Sequence, residues 1–115
     1  MNDLQITKKA LGNNTLVLDP GISLDNDNAH LMVEAMSAAL SDGIKYIIID
    51  MTRLEFISSA GVGSILGTVE EFREIGGDII LCNIGDSVLQ VLNVLDLKEY
   101  FTIKATDAEA LQFCN

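Results

Sequence analysis

A chain of 115 residues suits one domain, here spanning 1–115, and is long enough to bury a core without staples. Half of it is hydrophobic (49%), which excludes disorder. The net charge of −10, from 17 acidic and 7 basic residues, argues against nucleic acid and anionic membrane surfaces. It serves solubility, and it favours a protein partner with a basic surface.

In chain order, "LQIT" (Leu4–Thr7) and "TLVLD" (Thr15–Asp19) read as two strands joined by a hairpin turn at Gly12–Asn14. "LDPGISLD" holds the lone proline, Pro20, in a turn. From Asn26 the period becomes helical, with Ala29, Met32, Val33, Met36, Ala39 and Leu40 recurring on one face. Asp25 or Asn26 can cap this helix, and Ser41–Gly43 ends it. "YIIID" (Tyr46–Asp50) is a β-branched run that reads as a strand buried on both faces. A helix follows from about Ala60 to Ile75, with Val62, Ile65, Leu66, Val69, Phe72 and Ile75 as its stripe, stopped by Gly76–Gly77. "DIILC" (Asp78–Cys82) is a second buried strand, and Asp86–Leu97 a second-last helix. "YFTIK" (Tyr100–Lys104) is a last strand, and a capping box of Thr106 and Glu109 opens a last helix. The order β-β-α-β-α-β-α-β-α predicts an α/β fold with a mixed, mostly parallel sheet and about four helices.

In such sheets, functional groups gather at the carboxyl ends of the parallel strands. "DPGISLDND", "MTRLEFISSAG" and "NIGDS" reach that edge, so Ser58 and Ser59 fall on it, at a helix N-terminus. A hydrolase is disfavoured, because a serine nucleophile needs a base and the single histidine, His30, reads as a surface or boundary residue. "GVGSILG" (Gly61–Gly67) lacks the lysine of a phosphate-binding loop and does not directly follow a strand. Asp25 and Asp27 have no evident third partner for a metal, and read as turn and cap residues. Cys82 reads as a buried free thiol. The N-terminal residues show no apolar signal region and no run reaches membrane-spanning length, so a cytoplasmic location is expected. What remains is a helix start with exposed hydroxyls, where free N–H groups and the dipole favour an anion. A serine there can cap the helix or accept a phosphate.

The stretch "IIIDMTRLEFISSAGVGSILG" (Ile47–Gly67), with weaker support from "GISLD", "IGGDIILCNI" and "VLNVLDLKEYF", resembles STAS domains, specifically bacterial anti-sigma-factor antagonists. The resemblance covers essentially the whole chain, so residues 1–115 are expected to form a single STAS domain. With Gly61 fixing the register, the family's Asp-Ser-Ser-Gly falls on Ser58, Ser59, Ala60 and Gly61. The resemblance therefore implies Ser59 as phosphoacceptor, with Ser58 as its rival. It implies a non-enzymatic partner switch without a cofactor. The unphosphorylated chain would bind an anti-sigma factor that is a serine kinase and free the sigma factor, phosphorylation would release it, and a serine phosphatase would reset it. The implied contact surface is Asp25, Phe56, Ile57, Ser58, Ser59, Gly61, Val62 and Ser64, with one of Phe56 and Ile57 serving the core instead. A monomer or weak dimer is expected. Ser58 in place of the family's Asp keeps open an alternative, a constitutive, non-phosphorylated STAS scaffold or transporter-accessory module.

Overall fold

The computed structural model describes residues 7–11 and 14–114. Its strands are β1 (Thr7–Leu11), β2 (Thr15–Asp19), β3 (Ser23–Leu24), β4 (Tyr46–Asp50), β5 (Phe56–Ile57), β6 (Asp78–Cys82) and β7 (Thr102–Lys104). Its helices are α1 (Ala29–Ser41), α2 (Ser59–Glu74), α3 (Asp86–Val94) and α4 (Asp107–Phe113). The main sheet has the order β1-β2-β4-β6-β7. Among the described residues only the β1–β2 pair is antiparallel; β2–β4, β4–β6 and β6–β7 are parallel. The mixed, mostly parallel sheet with four helices is the architecture expected from the sequence.

The continuous apolar strands follow from cover on both faces. On β4, Ile47 and Ile49 point into the large core beneath α1, α2 and α3, while Ile48 points to the smaller core under α4. On β6, Ile79 and Leu81 join the first core, and Ile80 and Cys82 join the second. A period-two strand can be apolar throughout only when both of its faces are dry. The large core is filled by Met32, Met36, Ile65, Val69 and Phe72, all within 1% of complete burial.

Several boundaries differ from the sequence expectation. The first strand runs from Thr7 to Leu11 rather than ending at Thr7; Leu4–Ile6 and Gly12–Asn13 lie outside the described residues. Helix α1 starts three residues later than the period suggested, at Ala29 with Asn28 as N-cap. Asp25 and Asn26 do not cap it. The Asp25 carboxylate instead accepts the Asp27 N–H at 2.9 Å and the Ser23 hydroxyl at 2.7 Å, which closes a turn before the helix. Helix α2 begins at Ser59 and ends at Glu74, and Gly76 takes the left-handed conformation (φ 88°) that stops it. Helix α3 ends at Val94, because Asp96 (φ 61°) turns the chain. Tyr100 and Phe101 precede β7 rather than belonging to it. The Thr106 cap of α4 is as expected: its hydroxyl accepts the Glu109 N–H at 3.1 Å.

Two short strands were not anticipated. Strands β3 and β5 form a parallel two-stranded sheet of their own, with Ser23 opposite Phe56 and Leu24 opposite Ile57. It joins the loop after β2 to the loop after β4, at the carboxyl edge of the main sheet.

Candidate functional site

The site is built where the β3–β5 ribbon meets the start of α2. The Leu24 carbonyl, at the end of β3, accepts the Ser58 N–H at 2.9 Å. Gly61 lies against that same carbonyl. A Cβ there would stand 2.5 Å from the Leu24 oxygen and 2.9 Å from Ile57 Cγ1, so only glycine lets α2 begin at this height. Ser58 is extended (φ −93°, ψ 173°), and its Oγ accepts the Gly61 N–H at 3.1 Å. That bond makes it the N-cap of α2. The same hydroxyl donates to Asn26 Oδ1 at 3.4 Å, which ties the cap to the loop before α1.

Ser59 is the first residue of α2, exposed, and its hydroxyl makes no hydrogen bond among the described residues. The first turn of α2 carries no acidic side chain. Its free N–H groups and dipole therefore face no negative charge from the helix's own first turn. The two adjacent serines thus have different duties: one hydroxyl is committed to the helix and the other is free.

The remaining expected contact residues divide by burial. Asp25 and Ser58 are half-buried and Phe56 is 55% exposed, so these three reach the surface beside Ser59. Ile57, Gly61, Val62 and Ser64 do not. Ile57 and Val62 are core residues at 4% and 3% exposure, and the buried Ser64 hydroxyl donates to the Gly61 carbonyl at 2.6 Å. They support the loop from below, and it is Ile57, not Phe56, that serves the core. Ile22 was missed. It is 59% exposed, and its carbonyl accepts the N–H groups of Glu55 (2.8 Å) and Phe56 (3.2 Å). The "GIS" segment holding it has no period to reveal an exposed apolar side chain.

The other carboxyl-edge groups are structural. Burial pushes the Asp50 carboxyl up, but hydrogen bonds from Thr52 and Asn83 outweigh it and hold the group below the usual carboxylate range. Asn83 Nδ2 donates to Asp50 Oδ1 at 3.0 Å and so joins the ends of β4 and β6. Both cysteines are free and buried. Burial first, then the charges of Asp50 and Asp107, pushes the Cys82 thiol up to about 12, which makes it a poor nucleophile. His30 is exposed, and among the described residues no group of three His, Cys, Asp or Glu side chains is placed to hold a metal ion. Nor is any helix among them long and apolar enough to cross a membrane.

Together, the fold and the site define a small α/β domain that presents a capped helix start, with one free hydroxyl, at the carboxyl edge of its sheet. The chain belongs to the STAS domain family, whose pattern matches residues 5–110. It is 25% identical over 91 residues to BtrV of Bordetella bronchiseptica, a protein provisionally named an anti-sigma factor antagonist, with 78% of each chain covered. A Thermotoga maritima protein with a similar provisional name matches with a TM-score of 0.86 and 24% identity, covering 95% of this chain and 93% of that one. The anti-sigma factor antagonist SpoIIAA matches in two states. Its unphosphorylated form gives a TM-score of 0.75 at 24% identity, covering 94% of this chain and 96% of that one. The phosphorylated form of the Bacillus protein gives 0.74 at 26% identity, covering 94% and 97%.

Proposed function

We propose that this domain is an anti-sigma-factor antagonist whose binding is switched by phosphorylation of Ser59. The unphosphorylated chain binds an anti-sigma factor that is also a serine kinase, and so frees a sigma factor. The kinase transfers phosphate from its own ATP to Ser59, the complex parts, and a serine phosphatase restores the antagonist. The chain itself is not a catalyst here, and the exchange takes place in the cytoplasm.

The observation that carries this reading is the division of labour between the two serines. The Ser58 hydroxyl is engaged with the Gly61 N–H, whereas the Ser59 hydroxyl is exposed and makes no hydrogen bond among the described residues. Ser58 stands where the family pattern has an aspartate, and as an N-cap it does what an aspartate would do there. The names and states of the relatives support the role, since one relative of this fold is known in unphosphorylated and phosphorylated forms. That both forms match this chain with nearly equal TM-scores supports a switch at the surface rather than in the fold.

A phosphate brings about −1.5 to −2 charges and three acceptor oxygens. The helix start can satisfy those oxygens within the domain. At an interface, the dianion must instead be desolvated or face the partner's own acids. A loss of about 2–3 kcal/mol would cut affinity roughly 30- to 150-fold, enough to exchange partners.

The test is to incubate the protein with anti-sigma factor kinases and ATP and to map added phosphate by mass spectrometry. Label on Ser59 that is absent from Ser59→Ala is the expected result. Label that survives in Ser59→Ala and is lost in Ser58→Ala would reassign the acceptor. No label from any kinase that binds the chain would leave a constitutive scaffold.

A further inference from the structure

Asn28 stands at the N-cap of α1, yet its side chain makes no capping bond to that helix. Asparagine is among the best capping residues, so the amide is committed elsewhere. It turns back toward β3. Its Oδ1 accepts the Asp25 N–H at 2.8 Å, and its Nδ2 donates to the Ser23 carbonyl at 2.7 Å. These two bonds straddle Leu24, the last residue of β3. One needs an acceptor and the other a donor, so an ionised aspartate could make one of them and a leucine neither. Asn28 is 3% exposed, so its amide has these partners in place of water.

The residue between those bonds carries the connection to the serines. The Leu24 carbonyl accepts the Ser58 N–H at 2.9 Å, and it is the atom against which Gly61 packs. Leu24 is also fully buried and paired with Ile57. A second, longer link runs through Asn26, in the turn that Asn28 closes, which accepts the Ser58 hydroxyl at 3.4 Å. Both links from Asn28 therefore end on Ser58. We propose that Asn28 is a positioning residue for the start of α2. Its side chain holds β3 and the turn of residues 25–28, and these fix where Ser58 caps the helix and hence where Ser59 stands. Buried as it is, Asn28 touches no partner and acts only through Leu24, Asn26 and Ser58. The cap that α1 forgoes is what the serine loop gains. This deepens the switch proposed above and rests on it for its consequence, the presentation of Ser59 to a kinase.

The test begins with Asn28→Ser in the full chain. Serine caps a helix about as well as asparagine, but it is one bond too short to span both of these partners. Hydrogen exchange of the Ser58 N–H should quicken about tenfold relative to that of Ile49, whose amide in the central strand reports opening of the whole domain. The control Thr102→Val removes a hydrogen bond to Asp78 at the far end of α2 and should not raise that ratio. Asn28→Asp keeps the shape of the side chain and supplies a second variant. Ionised, it cannot donate to the Ser23 carbonyl, and the ratio should rise. As the pH is lowered and that carboxyl protonates, donor and acceptor are both restored, and the ratio should return toward the parent's. The parent is measured at each pH, so that Asp25 and Asp27, which titrate in both chains, cancel. With a kinase that labels Ser59, Asn28→Ser should be labelled about tenfold more slowly at saturating antagonist, and Thr102→Val at the parent rate. The proposal is overturned if Ser58 and Ile49 quicken by the same factor in both Asn28 variants. It is also overturned if Asn28→Ser is labelled as fast as the parent. The exchange measurement uses no kinase, so it decides the role of Asn28 even if no kinase labels the parent chain and the switch itself fails.

Discussion

The two ends of α2 are built on opposite principles. At the C-terminal end, Arg73 Nε bonds Asp78 Oδ1 at 2.9 Å and Arg73 Nη2 bonds the Tyr100 carbonyl at 2.9 Å. The second Asp78 oxygen accepts the Thr102 hydroxyl at 2.5 Å, and the Arg73 guanidinium lies over the Tyr100 ring at 4.9 Å. Tyr100 in turn donates to Glu70, and the Glu70 carboxylate holds its phenol above the usual tyrosine range. Arg73, Asp78, Tyr100 and Thr102 are all paired there, and α2, β6 and β7 are fixed to one another. At the N-terminal end a single hydroxyl caps the helix, and the next one is free. A domain that holds its helix by one end can leave the other available for a partner.

The largest effect should come from breaking the fixed end. Asp78→Ala removes the partner of Arg73, the acceptor for Thr102 and the acceptor for the Ile79 N–H, which bonds Asp78 Oδ1 at 2.8 Å. With Asp78 nearly buried and Arg73 able to reach water, the expected loss is about 3 kcal/mol in urea unfolding. Labelling of Ser59 by a kinase should persist in the molecules that remain folded. An equal loss from Ser58→Ala would mean that the two ends are not unlike after all.

Next in size is Gly61→Ala, which acts where the open end meets its support. The added methyl would press on the Leu24 carbonyl and Ile57, and either β3 or α2 must retreat. Overpacking of this kind costs about 1–3 kcal/mol. The diagnostic reading is local: amide shifts should move along Ser23–Leu24 and Phe56–Ile57 and leave Arg73, Asp78 and Thr102 unchanged.

These contrasts also show what was legible in the sequence. Strands β4 and β6 and the stripe of α2 were readable because burial on two faces, or on one helical face, leaves a period in residue type. The mixed sheet followed from the order of those elements. Strands β3 and β5 were not readable, since two residues hold no period and their pairing depends on a chain separation of more than thirty residues. The start of α1 was misread for a related reason: Asp25 and Asn26 are good cap residues, but a turn built on the Asp25 carboxylate uses them first. The site was half legible. Two serines before a helix can be placed at its start from sequence, but which hydroxyl is committed is decided by the geometry around Gly61. The exposure of Ile22 and Val94 has no signature at all, because an apolar letter does not say whether it is covered.

The open end itself gives a sharper pair. Ser58→Ala loses the cap and should cost about 1 kcal/mol, while Ser58→Asp should keep it. Ser59→Ala touches no hydrogen bond and should stay within about 0.5 kcal/mol of the parent chain. Stability and labelling should therefore move in opposite senses: Ser59→Ala loses the phosphate and keeps its stability, and Ser58→Ala loses stability and keeps a labelled Ser59. Urea midpoints set beside phosphopeptide maps of the three variants read both at once. Coincident losses in either variant would mean that the hydroxyls share one role.

The smallest effect is a pH response confined to the open end. Asp50 sits at the end of β4, and its carboxyl is held low by hydrogen bonds from Thr52 and Asn83 that overcome its burial. A carboxyl lowered in the folded state adds stability above the unfolded value of about 3.9 and loses it as pH falls through the folded value. The neutral Asp50→Asn lacks that term, so it should be less stable than the parent chain at pH 7. The difference should shrink as the pH is lowered past 4. Before global unfolding, the amides of Thr52 and Asn83 should shift first, since the Thr52 N–H bonds Asp50 Oδ1 at 3.1 Å and the Asn83 side chain bonds it at 3.0 Å. An early response at Arg73 or Thr102 instead would place the acid-sensitive contact at the fixed end and erase the distinction between the two.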